Sequence, residues 1–261
     1  MNRVGRRIVA DIIKVSILSL PAQNPYPNGW PEEQVLFANG KYEANQYVLD
    51  GANINQWTDN SPALNHFLPV SGIAARAIVD ANGNAVFGTG DVLQAANYLA
   101  VTNQLSVFVR IKPNTATITG TQLIIGSHQP DTNKRSWAIY NLVGDATSPA
   151  GYIAFLVTNS GLAGVTDSKI YRIPYTTLEQ AIGFVFNAGT LTIYKNGAIV
   201  TPTKPNDAAI TTMFNNNIKM TIGYPLTGAG AINSGWMAPD YTIKKIGIKL
   251  GVATAEERAS I

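Results

Sequence analysis

Downstream of residue 46, apolar and polar positions alternate with a period of two, as in strands that bury one face. The clearest stretch is Thr190–Lys195, where Leu191, Ile193 and the aliphatic stem of Lys195 alternate with Thr190, Thr192 and Tyr194. Asn196-Gly197 then supplies the two positive-φ positions of a type I′ turn, and Ala198-Ile199-Val200 begins the return strand. Similar runs occur at Tyr47–Leu49, Ala85–Phe87, Leu105–Ile111, Gln122–Ile125, Trp137–Tyr140, Tyr152–Val157, Ile170–Ile173, Ile182–Asn187, Met220–Gly223 and Tyr241–Ile248. About a dozen strands with short turns between them predict an all-β sandwich or jelly roll. A parallel α/β fold would require intervening helices of about 10–15 residues, and the pattern contains none. Two short helices are predicted. One is a single turn over Tyr175–Gln180; the other covers Thr254–Arg258, with Thr254 as N-cap and Glu257 completing a capping box.

Upstream of residue 46 the alternation is absent. Ile8, Ile12, Val15 and Leu18 fit helical spacing, but β-branched residues dominate, and an extended segment over 8–20 is favoured. Residues 21–31 carry four prolines, which remove backbone donors and fix φ, so this stretch reads as a stiff connector. Its Tyr26 and Trp30 are amphipathic anchors, either for a strap over the core or for an intermolecular contact. The chain therefore divides into an arm with a Pro-rich connector, 1–45, and a jelly-roll domain, 46–261.

The charge sharpens that division. Within the arm, residues 1–14 hold Arg3, Arg6, Arg7 and Lys14 against Asp11, a charge of +3 equal to the formal charge of the whole chain, so the residues after 14 are neutral overall. The arm is either simply solvated or contacts an acidic partner surface. Asp11 and Lys14 interrupt its apolar run, which argues against a cleaved signal peptide and against a membrane span. Only 13% of the 261 residues are charged, while 23 Gly and 14 Pro suit a loop-rich β protein. The chain has no cysteine, which excludes disulfides, thiolate metal sites and cysteine nucleophiles. Nothing in it points to nucleic acid.

Three segments resemble one family in the right order. Trp57-Thr58-Asp59-Asn60-Ser61, followed by Phe87-Gly88-Thr89-Gly90-Asp91, resembles the opening of laminin-G-like domains of the concanavalin A-like class, with its Trp-x-Asp-x-Ser turn and Phe-x-Gly strand end. Ala181 to Val200 resembles the central strand pair ending in Tyr-x-Asn-Gly, and Ile246 to Ile261 resembles the closing strand and helix. The sequence departs from the family at Gln180-Ala181-Ile182-Gly183-Phe184, where a Trp usually opens the strand. The resemblance implies a concanavalin A-like (laminin-G-like) β-sandwich jelly roll with an extended N-terminal arm and a short C-terminal helix. Such domains usually bind and seldom catalyse, and they sometimes hold calcium at a loop rim.

Candidate chemistry is sparse. Glycanases that resemble this fold place Glu, Asp and Glu at alternate positions of one strand, with carboxylates about 5–5.5 or 6.5–9.5 Å apart. The glutamates here, Glu32, Glu33, Glu43, Glu179, Glu256 and Glu257, avoid the predicted central strands. His66 and His128 have no neighbouring nucleophile or acid in sequence and read as structural. No zinc set exists. For calcium, Asp59, Asp91, Asp145, Asp167 and Asp240 are candidates, though Asx turns account for most of them. Gly228-Ala229-Gly230 is a loop. Trp236 and Tyr241 around Pro239-Asp240 form either a sugar-stacking platform or ordinary rim packing.

A laminin-G-like body without a signal peptide or disulfide fits a virion protein, made in the host cytoplasm and released by lysis. The expectation is a non-catalytic bacteriophage structural protein, a capsid decoration, fibre or tail/collar component present in symmetric copies. It would dock through Arg3, Arg6, Arg7, Tyr26 and Trp30 onto other virion proteins. The alternative is an extracellular carbohydrate-binding adhesin using Trp236, Asp240 and Tyr241; a glycan-active enzyme is the third reading.

Overall fold

The structure, a computed structural model, describes residues 40–162, 164 and 166–261. The expected docking residues Arg3, Arg6, Arg7, Tyr26 and Trp30 lie outside the described residues, as do the segment 8–20 and the connector 21–31.

Eighteen strands are described. In chain order they are β1 (Gly40–Glu43), β2 (Tyr47–Asp50), β3 (Asn53–Trp57), β4 (Phe67–Pro69), β5 (Ile78–Val79), β6 (Ala85–Phe87), β7 (Leu93–Tyr98), β8 (Gln104–Pro113), β9 (Gln122–Gln129), β10 (Lys134–Leu142), β11 (Tyr152–Thr158), β12 (Ser168–Pro174), β13 (Gln180–Asn187), β14 (Thr190–Lys195), β15 (Ala198–Val200), β16 (Thr203–Asp207), β17 (Lys219–Gly223) and β18 (Tyr241–Lys249). One layer runs β1-β18-β8-β13-β14-β15. The other runs β4-β7-β17-β9-β10-β11-β12-β16. β2, β3, β5 and β6 form a corner that joins β4 to β18. All of these pairings are antiparallel, so the two layers are parts of one folded sheet.

The inner faces meet in a single core. Val107, Val109 and Ile111 of β8, Phe184 and Phe186 of β13, and Ile246 and Ile248 of β18 face Ile125, Trp137, Ile139, Ile153 and Phe155 of the other layer. Across the gap, the Phe184 ring lies 6.2 Å from Trp137 and 6.5 Å from Phe155, both edge-on. Each such fully buried aromatic contributes about 1.5–3 kcal/mol relative to exposure.

Several expectations from sequence are met in detail. Asn196 (φ 50) and Gly197 (φ 80) occupy the left-handed region, as the type I′ turn requires. The C-terminal helix α1 (Ala255–Ala259) has its full capping box: the Glu257 N–H donates to Thr254 Oγ1 at 3.2 Å, and the Thr254 N–H donates to Glu257 Oε2 at 2.6 Å. In the strand where the sequence departs from the family, packing requires Gly183. A Cβ there would lie 2.3 Å from Phe108 Cδ1, because the Phe108 ring crosses that position and packs 5.8 Å from Tyr194.

Other expectations are corrected. The 175–180 segment is a bend, not a helical turn. The Tyr175 hydroxyl donates to the Thr115 carbonyl at 2.8 Å, the Leu178 N–H bonds Thr176 Oγ1 at 3.2 Å, and Arg110 and Lys244 hold Glu179 at 2.7 and 2.6 Å. These partners hold the segment extended until β13 begins. The sandwich also starts before residue 46: all of β1 is buried, and Tyr42 pairs with Ile246. Tyr194, expected on the polar face of its strand, is buried under the Arg258 guanidinium, 4.5 Å from its ring.

Candidate functional site

Residues 224–240, between β17 and β18, fold back over the outer face of the second layer. A small hairpin forms first: Leu226 bridges Ile232, the Thr227 N–H bonds the Ala231 carbonyl at 2.7 Å, and Gly230 turns the chain at φ 82. Asp131, in the turn between β9 and β10, ties down its tip by accepting the Gly228 N–H on Oδ2 at 3.0 Å. Tyr224 and Leu226 pack on Val92, so the base is apolar. The returning strand is pinned where the Met237 N–H donates to the Thr121 carbonyl (2.8 Å) and Gln122 Nε2 to the Ala238 carbonyl (2.7 Å).

The face beneath is built by alternation. Residues 137 and 139 of β10 point into the core, so Ala138 and Tyr140 point out, and Ala154 and Leu156 of β11 join them in a second apolar cluster with Leu123. Trp236 covers it. Its ring stands edge-on to Tyr140 (5.8 Å, 67°) and to His128 (5.2 Å, 71°), leaving the indole partly exposed.

Beside this trio lies a cavity of about 150 Å³. Its polar lining comes from Gln94 of β7, His128 and Gln129 of β9, Lys219 and Thr221 of β17, and Thr227 of the hairpin, with Ile218 and Leu226 as apolar members. His128 is 5% and Thr221 3% exposed, and neither His128 Nδ1 nor Thr221 Oγ1 has a hydrogen-bond partner among the described residues. Burial, reinforced by the nearby Arg135 charge, pushes the His128 pKa down to about 3, so the imidazole is neutral at physiological pH. Tyr140 is pushed up to about 12 by burial and stays protonated.

Of the sequence-predicted glycan residues, only Trp236 belongs to this surface. Tyr241 is fully buried: its ring packs 5.6 Å from Phe87 and its hydroxyl donates to the Leu123 carbonyl at 2.5 Å, so it cannot stack on a ligand. Asp240 is partly exposed, and its carbonyl accepts the Asn114 N–H at 3.1 Å. Strand alternation separates them, because Tyr241 opens β18 on its inward face. His128 and Tyr140 were missed as partners of Trp236, although the period-two pattern places Tyr140 on the face opposite Trp137 and Ile139.

The acidic residues support structure. Asp59, buried, accepts the N–H groups of Lys41, Ser61 and Asn65 at 2.7–2.8 Å and the Ser61 hydroxyl at 2.9 Å, while its own N–H donates to His66 Nδ1 at 3.0 Å. Asp91 accepts the Gly88 N–H at 2.8 Å and is pushed above the usual carboxylate range by burial. Asp145 caps its own turn and accepts from the Tyr152 hydroxyl at 2.6 Å, which holds its carboxyl below the usual range. Asp167 accepts from the Thr166 hydroxyl at 3.1 Å. Asp207, bonded by Lys169 and Tyr171, is held at about 2. Among the described residues no three His, Asp or Glu side chains gather as a metal-binding group, and no helix is long and apolar enough to cross a membrane.

No protein-family model and no curated protein matches the sequence. Solved structures do match the fold. The botulinum neurotoxin serotype D ligand-binding domain, solved with N-acetylneuraminic acid, superposes with a TM-score of 0.55 at 12% identity over 86% of this chain and 50% of its own. The receptor-binding domain of the C/D mosaic serotype gives 0.56 at 11% identity, covering 85% and 50%. The type G receptor-binding domain gives 0.54 at 14%, covering 85% and 50%. The chain thus spans half the length of these domains. The likeness shows the fold: an all-β jelly roll of the concanavalin A-like class.

Proposed function

We propose that this chain is a non-catalytic recognition module that binds a glycan through the outer face formed by β9, β10 and the 224–240 segment. The observation that carries this reading is Trp236, a partly exposed indole held edge-on by Tyr140 and by His128, and His128 in turn lines a polar cavity. A ring fixed by its neighbours offers stacking area at little cost in side-chain entropy, and binding sites combine such aromatics with a few placed polar groups. The structural engagement of Asp59, Asp91, Asp145, Glu179 and Asp207 supports a surface without a general acid–base pair. The complex of the serotype D domain with N-acetylneuraminic acid supports a sugar as the ligand class. On this reading binding needs no calcium.

The test is a glycan array probed with the full chain. Trp236→Ala is expected to lower the signal about tenfold or more while the melting temperature stays within a few degrees, because the indole is only partly buried. Unchanged array binding in that variant refutes the site.

The charge distribution favours a second role for the N-terminal arm. All of the net charge lies in residues 1–14, which suits attachment to an acidic surface of a virion capsid, collar or tail, with the jelly roll projecting outward in symmetric copies. Deleting residues 1–30 is expected to abolish incorporation into the particle and to leave glycan binding intact. Incorporation of the truncated chain refutes this role.

A further inference from the structure

We propose that the cavity beside Trp236 is a subsite for one hydroxylated ring, a single saccharide unit, recognised by His128 and Thr221; this rests on the glycan-binding reading and locates its specificity. The first support is register. Thr221 of β17 lies directly opposite Gln94 of β7 on one side and Gly126 of β9 on the other. His128 is two residues along β9 from Gly126, and Lys219 two residues along β17 from Thr221, so alternation sends all four side chains out on one face. Gly126 lets the next strand approach closely: a Cβ there would sit 2.8 Å from the Trp137 carbonyl oxygen and 2.9 Å from Ala138 Cβ.

The second support is hydrogen-bonding capacity. Two side chains more than nine-tenths buried line this one cavity, and each carries a polar atom without a hydrogen-bond partner among the described residues. Native interiors rarely leave such atoms unpaired, and a ligand that supplies the missing bonds gains from it. A neutral imidazole and a hydroxyl both donate and accept, as do the amides of Gln94 and Gln129. That set matches adjacent hydroxyl groups, which likewise donate and accept. An apolar ring would leave both buried atoms unpaired, and a simple anion would find one ammonium, that of Lys219.

The third support is size. At about 150 Å³ the cavity is far below the usual range for drug-sized ligands. A cavity of about this volume accommodates one six-membered ring. One ring of a terminal sugar is therefore the most that can enter, and the rest of a glycan must lie outside.

The test is saturation-transfer NMR on the full chain with galactose and N-acetylneuraminic acid as separate probes and benzene as the apolar control. At least one sugar is expected to bind, and Thr221→Val, which keeps the shape and removes the hydroxyl, should weaken it about tenfold or more without lowering the melting temperature. Benzene should not bind. Equal sugar affinity in Thr221→Val, or benzene binding in place of sugar, overturns the subsite. If neither sugar binds but the array signal persists and still depends on Trp236, the subsite falls and the module reading stands. If the array is blank as well, both fall.

Discussion

Asp59 shows how much one carboxylate can organise. Four donors converge on it from three places in the chain, and the site is nearly solvent-free. Asp59→Ala leaves three buried N–H groups unpaired and is expected to cost at least about 3 kcal/mol by urea titration; a loss under about 1 kcal/mol would mean water replaces the carboxylate. Tyr241 is an equally strict case. Tyr241→Phe should cost about 1 kcal/mol for the lost bond to Leu123, and Tyr241→Ala about 3–5 kcal/mol for the cavity, so any binding defect in the latter reports unfolding. His128 adds a pH signature. Its folded pKa, about 3, lies below the unfolded value near 6.5, so the unfolded chain takes up a proton that the folded chain refuses. The contribution is nil above about pH 6.5 and increasingly unfavourable as pH falls towards 3. Stability of the wild type relative to His128→Gln should therefore decline across that window; a constant difference would contradict the buried neutral imidazole.

At the scale of elements, local chemistry was most legible where one residue type has no substitute. Asn196-Gly197 specifies its turn because both positions need positive φ, and Gly197→Ala is expected to cost about 1 kcal/mol through the strained residue. The capping box at Thr254 and Glu257 is equally local, and Glu257 also takes Lys249 Nζ at 2.8 Å, so Glu257→Ala should lose about 1–2 kcal/mol by thermal melting. Strands without an apolar run escaped the pattern. β5 has two residues, and β16 is the exposed edge Thr-Lys-Pro-Asn-Asp, ordered by pairing with β12. β1 was hidden for a different reason. Lys41 and Glu43 look like solvent-facing residues, yet both are buried and pair at 3.6 Å, and burial lowers the Lys41 pKa. Sequence offers Trp236 only as a candidate rim residue; a loop return sets it on His128 and Tyr140, from β9 and β10, and no spacing rule links residues that far apart.

For the whole molecule, the fold keeps the apolar core between the layers apart from the apolar clusters on the outer face, among the described residues. The large cluster between the layers holds the sandwich together, and the cluster around Tyr140 on the outer face is roofed by Trp236. Ion pairs such as Lys169–Asp207 and Arg110–Glu179 link neighbouring segments of the sheet. The most direct test of recognition without chemistry is to incubate the full chain with each glycan it captures on an array and then weigh the recovered glycan by mass spectrometry. The expected result is retention that depends on Trp236 and a glycan of unchanged mass. A shortened or modified glycan, or retention indifferent to Trp236, would contradict it.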